Sequence, residues 1–104
     1  GIDIDPQAVL STAENARINP VEVTALGGDA PLPPPADLVI ANILSTPLKL
    51  LAPILSSLVA PGGRLVLSGV LERQIDEVAS CYDPALNVQA WRTRDGWACL
   101  SGRR

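Results

Sequence analysis

The sequence predicts an α/β protein: a mostly parallel, three-layer sheet that closes in an antiparallel hairpin. Three observations lead there. Short apolar runs rich in β-branched residues alternate with segments whose apolar residues recur at helical spacing, the pattern of strand–helix–strand crossovers. The run Asp37–Leu44, DLVIANIL, is apolar through its middle without period-two alternation, as a strand covered on both faces reads. Near the C-terminus Asp95-Gly96 lies between two further runs, and this dipeptide is the strongest short signal for a two-residue hairpin, which joins only antiparallel strands.

Each element follows from its own residues. Ile2 and Ile4 flank Asp3 at what reads as the end of a strand. Asp5-Pro6 then starts a helix, because an Asp side chain accepts from the first free N–H groups and proline suits the first helical position. Val9, Ala13 and Ala16, with Thr12 beside them, form its apolar face; Glu14 and Arg17 fall outside it. The helix stops before Pro20, with Asn19 as a left-handed cap. Val21–Ala25 alternates and predicts a half-exposed strand. Gly27–Ala36 holds two glycines and four prolines and predicts a loop, with Pro31–Pro35 read as a variable insertion. After the central strand, Thr46-Pro47 repeats the cap-and-proline start. Leu48, Leu51, Leu55 and Leu58, widened by Leu50 and Ile54, mark one helix that Pro53 should kink. Ala60–Gly63 is a stop, and Arg64–Ser68 the next strand. Leu71, Ile75, Val78 and Tyr82 predict a third helix of about three turns, with Glu72, Arg73, Asp76 and Glu77 on its wet side, ended by Asp83-Pro84. Asn87–Thr93 and Trp97–Ser101 are the hairpin strands, with Trp91 and Trp97 expected to pack in or beside them.

Composition narrows the function classes. At 104 residues the chain reads as one domain, 1–104, with 47% apolar residues and neither Phe nor Met. Gly1-Ile2-Asp3-Ile4-Asp5 opens within a strand pattern, so a piece of a longer protein is expected. A formal charge of -3 argues against direct nucleic-acid binding, which needs a basic stripe. Arg103 and Arg104 read as a solvated tail. Cys81 and Cys99 have no CxxC spacing and the chain has no His, so no metal site is expected, and two free thiols in a reducing compartment are. Without a signal peptide or an apolar span of ~18 residues, a soluble cytoplasmic protein and no membrane partner are expected.

Chemistry is expected at the carboxyl ends of the strands, where open α/β sheets bind ligands. Asp3, at the end of the first strand, can accept hydrogen bonds from two vicinal ribose hydroxyls; on position alone it reads more readily as an exposed loop acid. Asn42 ends the apolar run with a polar amide. On position alone it either lines a site or turns the chain by bonding its own backbone. Gly28-Asp29-Ala30 follows the second strand on the same edge. Together Asp3, Asp29, Ala30 and Asn42 outline half of a nucleotide pocket; the glycine-rich half would lie upstream of Gly1.

GIDIDPQAV, DLVIANIL, LAPIL, APGGRLVLSGVLE and a closing strand ending in SGRR resemble the C-terminal part of the PrmA family of ribosomal protein methyltransferases, within the class I superfamily dependent on S-adenosylmethionine. The resemblance runs over nearly the whole chain and is weakest from Ala25 to Ala36. It implies a Rossmann-like catalytic domain without its first strand and glycine-rich loop, the missing strand lying between those at Gly1 and Asp37. It implies Asp3 as the acid for the cofactor ribose, Asp29 and Ala30 as the adenine-contact region, and Asn42 as the catalytic residue facing the methyl donor. The reaction implied is methyl transfer to an amine of the eleventh protein of the large ribosomal subunit, the fragment alone being inactive. A free lysine has a pKa near ~10.4, so neutrality and aim of the amine matter, and no dedicated base is visible. The alternatives are half of an NAD-type dinucleotide-binding domain and a non-catalytic α/β binding module. A monomer or a weak dimer through an exposed strand edge is expected.

Overall fold

Asp5 opens the first helix, as its position predicts, in a computed structural model that describes all residues, Gly1–Arg104. Contacts divide the chain into two units, Gly1–Leu32 and Pro33–Arg104.

The first unit is a parallel strand–helix–strand element. β1 (Ile2–Asp3) leads into α1 (Pro6–Ile18), where Asp5 Oδ1 accepts from the Gln7 N–H at 2.9 Å and Pro6 takes the first position. Val9 and Thr12 are half-buried and Ala16 is buried, whereas Ala13 is exposed. Asn19 ends the helix differently from the expected left-handed cap. Its φ of -93° and ψ of 18° are not left-handed, and its side-chain amide donates to the Asn15 carbonyl at 2.8 Å instead. The strand expected over Val21–Ala25 is displaced: β2 is Leu26–Gly27, paired in parallel with β1 as Ile2↔Leu26 and Asp3↔Gly27. Alternation marks a segment that can form a strand, but it is the partner's register that decides which residues pair.

The second unit carries a four-stranded sheet in the order β3-β4-β6-β5, formed by β3 (Ala36–Asn42), β4 (Val59–Leu71), β5 (Gln89–Arg94) and β6 (Trp97–Arg103). β3 and β4 are parallel; β4–β6 and β6–β5 are antiparallel. The sheet is therefore mixed. Asp95 (φ 53°) and Gly96 (φ 83°) make the expected hairpin turn between β5 and β6, both left-handed as a type I′ turn requires.

Helices cover one face of this sheet. Leu65, Leu67, Ala98 and Leu100 are buried against Leu48, Ala52, Val78 and Tyr82, with Val39 and Ala41 packed beside them. Residues of the other parity, including Leu38, Ile40, Val66 and Cys99, share the opposite face by register. There Leu38 is 53% and Ile40 65% exposed. The expected both-face burial of Asp37–Leu44 and the three-layer arrangement are thus not found in this unit. β3 is its outer strand, and only one face has helices.

The Leu48–Leu58 helix is two pieces, α2 (Ser45–Leu50) and α3 (Ala52–Ser57), broken at Leu51 (φ -89°, ψ 0°) just ahead of Pro53. Proline's ring and missing N–H act on the turn before it, so the break precedes the proline. Helix entry comes at Leu44 without a side-chain cap, so Thr46 is not the cap residue. Pro61-Gly62-Gly63 does not stop at a loop. β4 runs through it, with Gly62 at φ +79° donating to the Arg104 carbonyl at 3.1 Å. Leu71 consequently belongs to β4. The third helix shortens to a single 3₁₀ turn at Glu72–Gln74 followed by α4 (Ile75–Ala79). Tyr82 is buried behind it, its hydroxyl donating to the Leu48 carbonyl at 2.8 Å, and burial pushes the phenol up to about 12.

Two terminal expectations change as well. Trp91, on the outer strand β5, and Trp97, on β6, are 63% and 50% exposed because both fall on the face without helices; the Arg92 guanidinium lies 4.7 Å from the Trp91 ring centroid. Arg104 is a clamp and not a solvated tail. Its side chain donates to the Ser56 and Val59 carbonyls and to Asp83 Oδ2, while its backbone pairs with Gly62 and Gly63. Cys81 and Cys99 are free thiols.

Candidate functional site

Asn42 stands at the carboxyl end of β3, opposite Ser68 of β4. Its side chain is exposed and makes no hydrogen bond to its own backbone or to any other group of the chain. The turn reading of Asn42 needs such a bond, so the amide is free for other work. Beyond it Ile43 and Leu44 lead into α2, and with Ser68, Gly69 and Trp97 they and Asn42 line an open pocket of about 450 Å³. Its walls are mostly apolar, with one amide and one hydroxyl as polar groups. None of these six residues carries a side chain that titrates near neutral pH.

Three of the lining residues escape sequence reasoning. Ser68 and Gly69 read only as a strand end, although a glycine there is a signal for a bulge or close approach. Gly69 indeed has φ +87°, and the β4–β6 register shifts between Leu67 and Val70. Trp97 reaches the pocket because β6 inserts between β4 and β5. That order sets Trp97 opposite Leu71, near the carboxyl end of β4. Hairpin chemistry predicts the turn but not which hairpin strand joins the rest of the sheet.

The other predicted residues lie in the first unit. Asp3 ends β1 and is exposed; its Oδ1 accepts from the Asp5 N–H at 2.9 Å. One backbone donor leaves the second carboxylate oxygen free for further hydrogen bonds. Asp29 and Ala30 follow β2 in a turn, where the Ala30 N–H donates to the Gly27 carbonyl at 3.1 Å. Asp29 lines a slot of about 360 Å³ whose walls include Ile4, Pro6, Gly27 and Gly28. Ile4, 89% exposed, and Gly28, whose missing Cβ would meet the Ile4 side chain at 3.0 Å, also escaped the sequence reading. The structure thus brings Asp3, Asp29 and Ala30 into one unit, and Asn42 belongs to the other.

Comparison with known proteins agrees across sequence and fold. A ribosomal protein L11 methyltransferase from Bordetella parapertussis is 59% identical over 97% of this chain and 33% of its own length. The enzyme of the same name from Paraburkholderia xenovorans is 55% identical over 100% of this chain and 35% of its own. The chain therefore spans about a third of the length of the curated relatives it matches. A solved ribosomal protein L11 methylase from Lactobacillus delbrueckii subsp. bulgaricus superposes with a TM-score of 0.81 at 26% identity, covering 99% of this chain and 56% of that one. An RNA methyltransferase from Salinibacter ruber, solved in complex with S-adenosyl-L-homocysteine, shares the fold at TM-score 0.64 and 24% identity, covering 99% of this chain and 63% of that one. The sequence model of the family described as ribosomal protein L11 methyltransferase (PrmA) matches residues 1–104, and to that family this chain belongs.

Proposed function

We propose that this chain is the C-terminal part of the catalytic domain of a cytoplasmic, S-adenosylmethionine-dependent methyltransferase that methylates amino groups of ribosomal protein L11. The domain's first strand and glycine-rich loop are supplied from outside residues 1–104. The observation that carries the reading is the unengaged Asn42 amide, set at a strand's carboxyl end in a pocket with apolar walls.

The residues present fit the cofactor. Asp3 retains a free carboxylate oxygen for ribose hydroxyls, and the slot lined by Ile4, Gly28 and Asp29 has the mostly apolar walls an adenine ring needs. Ala30 contributes through its methyl and carbonyl, since its N–H is already spent on Gly27. When bound, S-adenosylmethionine supplies an electrophilic methyl group on a sulfonium. Asn42 Oδ1 accepts a hydrogen bond from the incoming amine and so aims the nitrogen lone pair. Ile43, Leu44 and Trp97 wall that amine in apolar surroundings, which disfavour its charged form. With no basic side chain in the pocket, positioning carries the step. The protein works as a monomer or a weak dimer through a strand edge.

The test is Asn42→Ala in the full-length enzyme carrying this segment. Turnover on ribosomal protein L11 should fall about 100-fold while the cofactor Kd changes less than about 3-fold. Unchanged turnover removes Asn42 from the reaction.

A further inference from the structure

The pocket beside Asn42 contains a contact that only glycine permits. Gly69 follows Ser68, the register partner of Asn42, and sits where β4 bulges away from regular pairing with β6. Its backbone has φ +87°, and a Cβ built on it would overlap the Ile43 carbonyl oxygen and lie 2.9 Å from the Ile43 carbonyl carbon. The Ile43 nitrogen would lie 3.3 Å away. These are backbone atoms, which cannot swing aside as a side chain does. One of the two strands would have to move.

Ile43 is the residue between Asn42 and the helix entry at Leu44. The overlap falls on the Ile43–Leu44 peptide, while the Ile43 nitrogen, 3.3 Å away, belongs to the peptide that joins Ile43 to Asn42, so a shift at Ile43 is passed to Asn42 through one residue. The geometry points to Gly69 as a positioning residue for methyl transfer: its bare Cα lets β4 press against the Ile43 peptide, and that contact sets where the Asn42 amide stands. Reacting groups tolerate little error, since a shift of about 1 Å can cost about 100-fold in rate. Gly69 touches neither substrate nor cofactor in this role; it acts through Asn42. The inference rests on the reading of Asn42 given above.

Gly62 provides the control. It too is left-handed, at φ +79°, but a Cβ there meets nothing within 4 Å. Gly62→Ala therefore carries the same backbone strain without the overlap. In the full-length enzyme, Gly69→Ala should lower kcat on ribosomal protein L11 about 10- to 100-fold, with the cofactor Kd within about 3-fold. Gly62→Ala should melt earlier yet keep kcat within about 2-fold. Added to Asn42→Ala, Gly69→Ala should lower kcat by less than about 2-fold further, because the two act as one unit. A folded Gly69→Ala enzyme with normal kcat overturns the proposal, and so does full additivity with Asn42→Ala. Failure of Gly69→Ala to fold where Gly62→Ala folds overturns it too, since the contact would then serve the fold. If Asn42→Ala keeps turnover while Gly69→Ala loses it, the reading of Asn42 fails first, and the route through Asn42 falls with it.

Discussion

Arg104 shows how one side chain can hold several elements. Its guanidinium is a quarter exposed and donates to the Val59 carbonyl at 3.0 Å, to the Ser56 carbonyl at 2.5 Å and to Asp83 Oδ2 at 3.1 Å. Arg104→Ala leaves two carbonyls without a donor, and charged hydrogen bonds of this kind are worth about 2 kcal/mol. A urea midpoint lowered by that energy divided by the slope, with the slope itself unchanged, is the expected result. Asp83 adds a pH signature. The Ala85 N–H and then the Arg104 guanidinium hold its carboxyl below the ordinary range. A folded-state pKa below the unfolded one gives stabilisation that is present above about pH 4 and lost as pH falls through the folded value. Asp83→Asn should therefore flatten the acid limb of the stability profile, measured between pH 3 and 6. Because the Asp83 side chain is 41% exposed, the effect should also shrink with added salt.

At the scale of elements, β3 is the instructive case. Its apolar run is equally hydrophobic on both faces, yet Val39 and Ala41 meet the helices whereas Leu38 and Ile40 face outward. In the isolated chain Ile40→Ala should change stability by no more than about 0.5 kcal/mol. Leu65→Ala, fully buried in the neighbouring strand, should cost about 3 kcal/mol. Equal losses at the two positions would mean that the outward face is covered in solution. The Leu51 break makes a related point: proline chemistry predicts a disturbed helix, and packing decides that two short helices of six residues each result. The hairpin needs no such help, because Asp95-Gly96 encodes its turn locally.

For the molecule as a whole, the proposed function assigns this chain only part of a methyltransferase site. In that proposal Asp3 and the Ile4–Gly28–Asp29 slot take the adenosine and Asn42 the methyl acceptor. Cofactor affinity depends on many contacts held together, and the ordering cost is met only when enough of them are present. Calorimetric titration of residues 1–104 alone with S-adenosylmethionine is accordingly expected to give binding weaker than about 100 μM. Low-micromolar binding would mean that this segment carries the cofactor site by itself.

By itself the sequence determined whatever is written in short-range chemistry. The Asp5-Pro6 helix start, the proline break, the hairpin turn and the two best blocks of family resemblance all depend on neighbouring residues, and all are found in the chain. Asn42 was legible as a polar residue ending an apolar strand. What the tertiary structure alone decided concerns partners distant in sequence. It set β6 between β4 and β5, bringing Trp97 to the Asn42 pocket, and it paired Leu26–Gly27 with β1 in place of Val21–Ala25. It turned Arg104 inward as a clamp and pressed Gly69 onto Ile43. Strand order, register and close backbone approach are properties of pairs of segments, and no window along a single chain contains both members of the pair.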